Sequence, residues 1–227
     1  MTRKIEIENL DCLCCSAGGK GKIAYILYPM DILGDWIGPA ADKYGTDIVV
    51  ITGMDWQNVF SPWPAKGVPK GSPDFKGESP QFLDLLQNAV IPAIEKEFGC
   101  VGTPERTLVG VSMSGLFGLW QWLLCDTFTN IASLSGSFWY DGFIDWIKGR
   151  EIPAKNGIAY FSLGDQEAKS RVKAFDSVAV NTQKIISLLD SGKINTEFQS
   201  VPGNHYSDPI PRLDKAFTAI YCGIRPE

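Results

Sequence analysis

Apolar positions along this chain follow two alternating rhythms. Short runs rich in apolar and β-branched residues fall at positions 4–8, 22–28, 47–52, 107–111, 130–134, 157–163 and 195–201. Their lengths suit strands, and several are continuous enough to be buried on both faces. Between them the spacing changes. Phe82, Leu85, Leu86, Ala89, Val90, Ala93 and Ile94 recur at helical intervals behind Ser79-Pro80, where serine can cap and proline can start a helix. A long helix is expected over 168–189 and a closing helix over 211–221. Strands alternating with helices predict an α/β fold, a mostly parallel sheet covered on both faces. No repeat, low-complexity tract or linker interrupts the pattern, so one domain is expected over 1–227.

One stretch fits neither rhythm. Residues 53–77 carry Trp56, Phe60, Trp63 and Phe75 among four prolines and several glycines, which predicts a long ordered loop. The tryptophans either pack over the sheet edge or wall a substrate-binding pocket.

Composition narrows the function classes. With 227 residues, 44% hydrophobic and 21% charged, the chain supports a substantial core. A net charge of −5 leaves no basic face for nucleic acid or an acidic membrane surface. The longest apolar run, 23–30, is far short of the roughly 20 residues that span a bilayer. Met1-Thr2-Arg3-Lys4 continues as Ile5-Glu6-Ile7-Glu8, which breaks the uncharged core a secretory signal needs, so a cytoplasmic location is expected. The six cysteines are then read as reduced thiols. Cys12-x-Cys14-Cys15 lacks zinc-ligand spacing and has no nearby histidine, so it is read as a structural or incidental cluster, with no metal and no cofactor. Gly18-Gly19-Lys20-Gly21 lacks the Walker spacing and reads as a turn between early strands.

The sharpest chemical signal is Thr107-Leu108-Val109-Gly110-Val111-Ser112-Met113-Ser114-Gly115-Leu116, an apolar strand running through a serine into a helix. This is a nucleophile-elbow pattern, in which the residues two before and two after the serine approach closely and must be small. Gly110 and Ser114 meet that demand, with Ser114 standing where glycine is usual. Serine needs a base to take its proton, and the sole histidine, His205, lies just beyond the last predicted strand. An acid should follow the preceding strand, where Gly164 leads into Asp165-Gln166-Glu167. Glu167, three residues past the glycine, is preferred; Asp165 would then cap the following helix, and it stays open as the alternative acid. For an oxyanion hole, Met113 N–H follows the nucleophile, and Met30 or Asp31 in the loop after residue 28 could give the second donor, since Pro29 cannot. Trp120 and Trp122 read as packing. Ser135 and Ser137 sit at a strand end without an elbow pattern and are assigned no chemistry.

These motifs resemble the putative-esterase family of α/β-hydrolases, which includes esterase D-like and enterochelin-esterase-like proteins. The resemblance runs from about Asp31 onward through Asp55-Trp56, Ser61-Pro62-Trp63-Pro64-Ala65, the elbow, Ser135-Gly136-Ser137-Phe138-Trp139, Gly164-Asp165-Gln166-Glu167 and Gly203-Asn204-His205. It implies serine esterase chemistry through an acyl-enzyme, acting on a small-molecule, saccharide or siderophore-type ester. It does not name the substrate or the oligomeric state. Two other readings stand beside it: an acyltransferase using the same triad, and a degenerate scaffold that binds an ester or sugar near Trp56 and Trp63 without turnover. Only a short helix fits between 134 and 157, so no large cap domain and an open site are expected.

Overall fold

A computed structural model describes residues 2–19, 21–167 and 173–223. Eight strands form one sheet, in the order β1-β2-β4-β3-β7-β8-β9-β10. They are β1 (Thr2–Ile7), β2 (Leu10–Cys15), β3 (Lys22–Leu27), β4 (Asp47–Thr52), β7 (Glu105–Val111), β8 (Asn130–Leu134), β9 (Ile158–Gly164) and β10 (Asn195–Val201). The pairs β1–β2 and β2–β4 are antiparallel and all the others parallel. The short β5 (Pro64–Ala65) and β6 (Phe75–Lys76) pair with each other inside the tryptophan-bearing stretch, which is therefore ordered. This is the α/β-hydrolase arrangement, and the expected fold class holds.

Helices cover both faces. On one side α1 (Gly34–Tyr44) and α7 (Ile210–Phe217) pack on Ala24, Ile26, Val50 and Val109. On the other lie α2 (Ser79–Leu85) and α3 (Ile91–Glu97), joined by one π-helical turn, with α4 (Met113–Trp122), α5 (Phe143–Lys148) and α6 (Val178–Ser191). Their apolar stripes meet Ile23, Tyr25, Leu27 and Leu108, the alternate residues of the same strands. Trp122 is fully buried and Trp120 nearly so, so both pack as expected.

Several elements differ from expectation, among them α1, which falls where no helix was expected. The first strand ends at Ile7, because Glu8 and Asn9 both take positive φ and turn the chain in a two-residue hairpin into β2. β2 itself was not foreseen. Its Cys12 and Cys14 face one core and Cys15 the other, acting as small apolar side chains. Burial pushes the Cys12 thiol up to about 12 and the Cys14 thiol to about 11, so neither ionises readily. The helix expected over 168–189 begins instead at Val178, behind a 3₁₀ turn at Lys173–Ser177 whose Asp176 and Ser177 favour turns over helix interior; 168–172 lie outside the described residues. The glycines expected to turn do so between β2 and β3, with Gly18, Gly19 and Gly21 at positive φ, while Lys20 lies outside the described residues.

Candidate active site

The chain reverses its direction of travel across the sheet between β3 and β7, and loops at the carboxyl ends beside such a point form a crevice. Because β7, β8, β9 and β10 are parallel neighbours, Ser112, Ser135, Glu167 and His205 all leave the sheet at that same edge.

Ser112 occupies the turn between β7 and α4 with φ 56° and ψ −119°, a conformation that L-residues avoid and that marks an elbow. Sequence makes this turn possible. A Cβ at Gly110 would overlap the Ser114 carbonyl, and one at Gly115 would lie 2.7 Å from the Ser133 hydroxyl. The Ser114 hydroxyl accepts from Val111 N–H at 2.8 Å and faces the carbonyls of Leu27 at 3.0 Å and Val111 at 2.9 Å, tying the elbow to β3. A serine in the usual glycine position is thus a brace.

Glu167 is the acid that the fold brings to histidine. Its Oε2 lies 3.5 Å from His205 Nδ1. Its Oε1 accepts from Gly164 N–H at 2.7 Å and from the Ser135 hydroxyl. Burial alone would raise its pKa, but the hydrogen bonds from His205, Ser135 and Gly164 outweigh it and hold the carboxyl below its ordinary value. Asp165 points elsewhere. It accepts from Gly203 N–H at 3.0 Å, clasping the β9 loop to the β10 loop; the start of the helix it was expected to cap falls on 168–172, outside the described residues.

The Ser112 hydroxyl hydrogen-bonds the Ser137 hydroxyl at 3.1 Å, and Ser137 N–H donates to the Ser112 carbonyl at 3.0 Å. Ser135 and Ser137 therefore belong to the site that sequence reading withheld from them. The available signal was positional: Ser135-Gly136-Ser137 ends the strand next to the elbow strand. Arg212 was also missed. It is 3% exposed and reaches Ser135, Glu167 and the Asn204 carbonyl.

Met113 begins α4 and its N–H meets no acceptor among the described residues. Met30 and Asp31 lie in the exposed loop after β3, Asp31 pairing with Lys4, and their N–H groups are likewise unengaged among the described residues. Trp63 stands against Tyr140, Phe143 and Trp146 and donates its indole N–H to the Asp141 carbonyl at 3.0 Å. Trp56 packs edge-on against Phe60 with ring centres 4.8 Å apart and keeps part of its surface exposed. Among the described residues no cluster of histidine, cysteine and acidic groups could hold a metal, and no helix is long and apolar enough to cross a membrane.

Comparison with known proteins identifies the family and the fold. The family model described as Putative esterase matches residues 27–209. The chain belongs to that family. A curated relative, the uncharacterized protein YbbA of Bacillus subtilis (strain 168), is 27% identical over 128 residues, 54% of this chain and 51% of YbbA, so the chain spans about half the length of that relative. Among solved structures, the IroE-like serine hydrolase of Shewanella oneidensis superposes with a TM-score of 0.77 at 15% identity, covering 100% of this chain and 82% of that one. The siderophore hydrolase EstB of Aspergillus nidulans gives 0.74 at 16% identity, covering 100% and 96%. At such identities the likeness is one of fold.

Proposed function

We propose that the protein is a serine carboxylic-ester hydrolase in which Ser112 is the nucleophile, His205 the base and Glu167 the acid. The observation that carries this reading is the coincidence, at one sheet edge, of a strained elbow serine with the chain's sole histidine, itself paired to a carboxylate whose side chain is 10% exposed. Glu167 is favoured over Asp165 because it faces the imidazole while Asp165 is engaged with Gly203.

In the proposed cycle the Ser112 hydroxyl turns from Ser137 toward His205, which takes its proton as the oxygen attacks the ester carbonyl. Glu167 holds the imidazole through Nδ1 and stabilises its charged form. Met113 N–H, at the positive end of α4, receives the developing oxyanion together with a donor from Met30 or Asp31. Protonated His205 returns its proton to the departing alcohol, leaving an acyl-Ser112. Water then attacks, gives its proton to His205, and the acid is released as Ser112 is reprotonated.

Hydrolysis is favoured over acyl transfer because the site is open to solvent: the His205 side chain is 32% exposed, and only α5 lies between β8 and β9. A transferase needs water kept from its acyl-enzyme. Esters of the siderophore type, as cleaved by proteins named like the structural neighbours, belong in the first substrate panel, with simple acetyl and aryl esters. Labelling with a fluorophosphonate tests the core claim. Ser112 is expected to be modified, and Ser112→Ala is expected to lose both label and esterase activity. Folded wild-type protein that takes no label would favour a binding scaffold instead.

A further inference from the structure

Among the described residues only Asp47 and Arg212 are both charged and buried. Asp47, at the amino end of β4, is held through Oδ1 alone, by the Ser16 hydroxyl at 2.9 Å and Ala17 N–H at 2.6 Å, both in the segment just after β2, while its Oδ2 has no partner among the described residues. Arg212 is different, because its partners come from three loops of the candidate site. Nη1 donates to the Ser135 hydroxyl, at the end of β8. Nη2 donates to the carbonyl of Asn204, the residue before His205. Nη1 also lies 3.4 Å from Glu167 Oε1, a longer approach than its contact with Ser135. Room is kept for this fork by Gly164, where a Cβ would come 2.8 Å from Nη2 and overlap the Gly203 carbonyl.

The bonds have a direction. Because Arg212 donates into the Ser135 oxygen, that hydroxyl points its one proton at Glu167 Oε1, where it joins Gly164 N–H. Oε1 is thereby occupied and Oε2 is left facing Nδ1 of His205. The second arm of the guanidinium fixes the backbone immediately before the histidine. A planar fork serves two acceptors in one fixed relation, which a lysine ammonium on a flexible stem does not.

We propose, building on the esterase reading above, that Arg212 is a positioning residue: acting through Ser135 and Asn204, it sets the orientation of Glu167 and of the His205 loop, and so aims the imidazole at Ser112. A purely architectural arginine would lower stability and leave turnover by the folded protein intact. A positioning arginine changes turnover itself.

The test compares Arg212→Met, Arg212→Lys and Ser135→Ala with the wild type, using 4-nitrophenyl acetate turnover, the rate of fluorophosphonate labelling, and melting temperature, with assays run well below unfolding. Arg212→Met is expected to lose about tenfold to a hundredfold in kcat, the range typical of residues that orient a site group. KM should change little, and labelling should slow in parallel. Arg212→Lys and Ser135→Ala should fall between. In a Glu167→Gln background, Arg212→Met should cost far less than in the wild type, since the two act as a unit. Folded Arg212→Met with wild-type kcat and labelling overturns the inference, as does an equal cost in both backgrounds. If Arg212→Met does not fold, Ser135→Ala and Arg212→Lys decide, and wild-type turnover by both overturns it. A wild-type protein that neither labels nor hydrolyses esters would sink the esterase reading and this inference together. Normal wild-type labelling with equally fast labelling of Arg212→Met would sink this inference alone.

Discussion

Ser114 and Glu167 show how single side chains hold the candidate site in shape. The Ser114 hydroxyl, on a fully buried residue, accepts from the part-buried N–H of Val111, so Ser114→Ala strands that donor without opening much volume. A loss of about 1–3 kcal/mol is expected in urea unfolding, the usual cost of an unsatisfied buried donor, with fluorophosphonate labelling of the folded variant retained. An unchanged midpoint would mean the brace carries no weight. At Glu167 the prediction runs through pH. Its folded pKa is depressed, so its contribution to stability is complete above the ordinary value of 4.5 and is lost as pH falls through the lower folded value. The stability gap between wild type and Glu167→Gln, measured by urea midpoints across a pH series, is expected to be widest above that ordinary value and to close below it. A gap that stays constant with pH would show that the carboxyl is not held ionised. Ser112, Glu167 and His205 were legible in the sequence because each answers to a local rule: small neighbours around a serine, a fixed step past a strand-end glycine, a sole histidine beyond the last strand. Ser135, Ser137 and Arg212 follow no such rule. The serines matter because β8 happens to lie beside β7, and Arg212 adjoins the apolar stripe of Leu213, Ala216 and Phe217, where a charged residue ordinarily faces water.

Among the elements, the buried parallel strands announced themselves because both faces are covered and their runs are nearly unbroken; 47–52, 130–134 and 195–201 agree residue for residue with β4, β8 and β10. β2 hid behind its cysteines, which invite a chemical reading although they serve as core. α1 hid behind Gly38 and Pro39, residues that usually argue against a helix interior, yet Pro39 is accommodated and Gly45 ends the helix in the left-handed conformation. Within the loop between β4 and α2 the two tryptophans part company. Trp63 is a pillar among Tyr140, Phe143 and Trp146, and Trp63→Ala is expected to cost about 2–4 kcal/mol, somewhat below the figure for a fully buried tryptophan because part of the ring is exposed. Trp56 is part-exposed like Trp63, but its one described ring partner is Phe60, which leaves it freer to serve as a pocket wall. Trp56→Ala is therefore expected to raise KM for aryl esters with kcat unchanged, the signature of lost uniform binding. If KM instead moves with Trp63→Ala and not with Trp56→Ala, the assignments are reversed.

At the scale of the whole molecule, what stands over the crevice decides which esters it admits. In hydrolases that work on lipid aggregates, a lid with an apolar underside closes the site in water and opens on contact with an interface. Here the segment from the end of β8 to the start of β9 holds only α5, and that helix is spent on the core: Phe143 and Ile147 are buried, and Trp146 stacks beside them. It has no second apolar face to offer an aggregate. The net charge of −5 further disfavours adsorption to an anionic surface. Turnover of a monomeric short-chain ester, such as 4-nitrophenyl butyrate, should therefore saturate smoothly with concentration, and a longer-chain ester should show no jump in rate as it passes its solubility limit or critical micelle concentration. A steep rise at that threshold, in wild-type protein free of detergent, would mean that some segment does gate the site and that the crevice at this sheet edge is not open in solution.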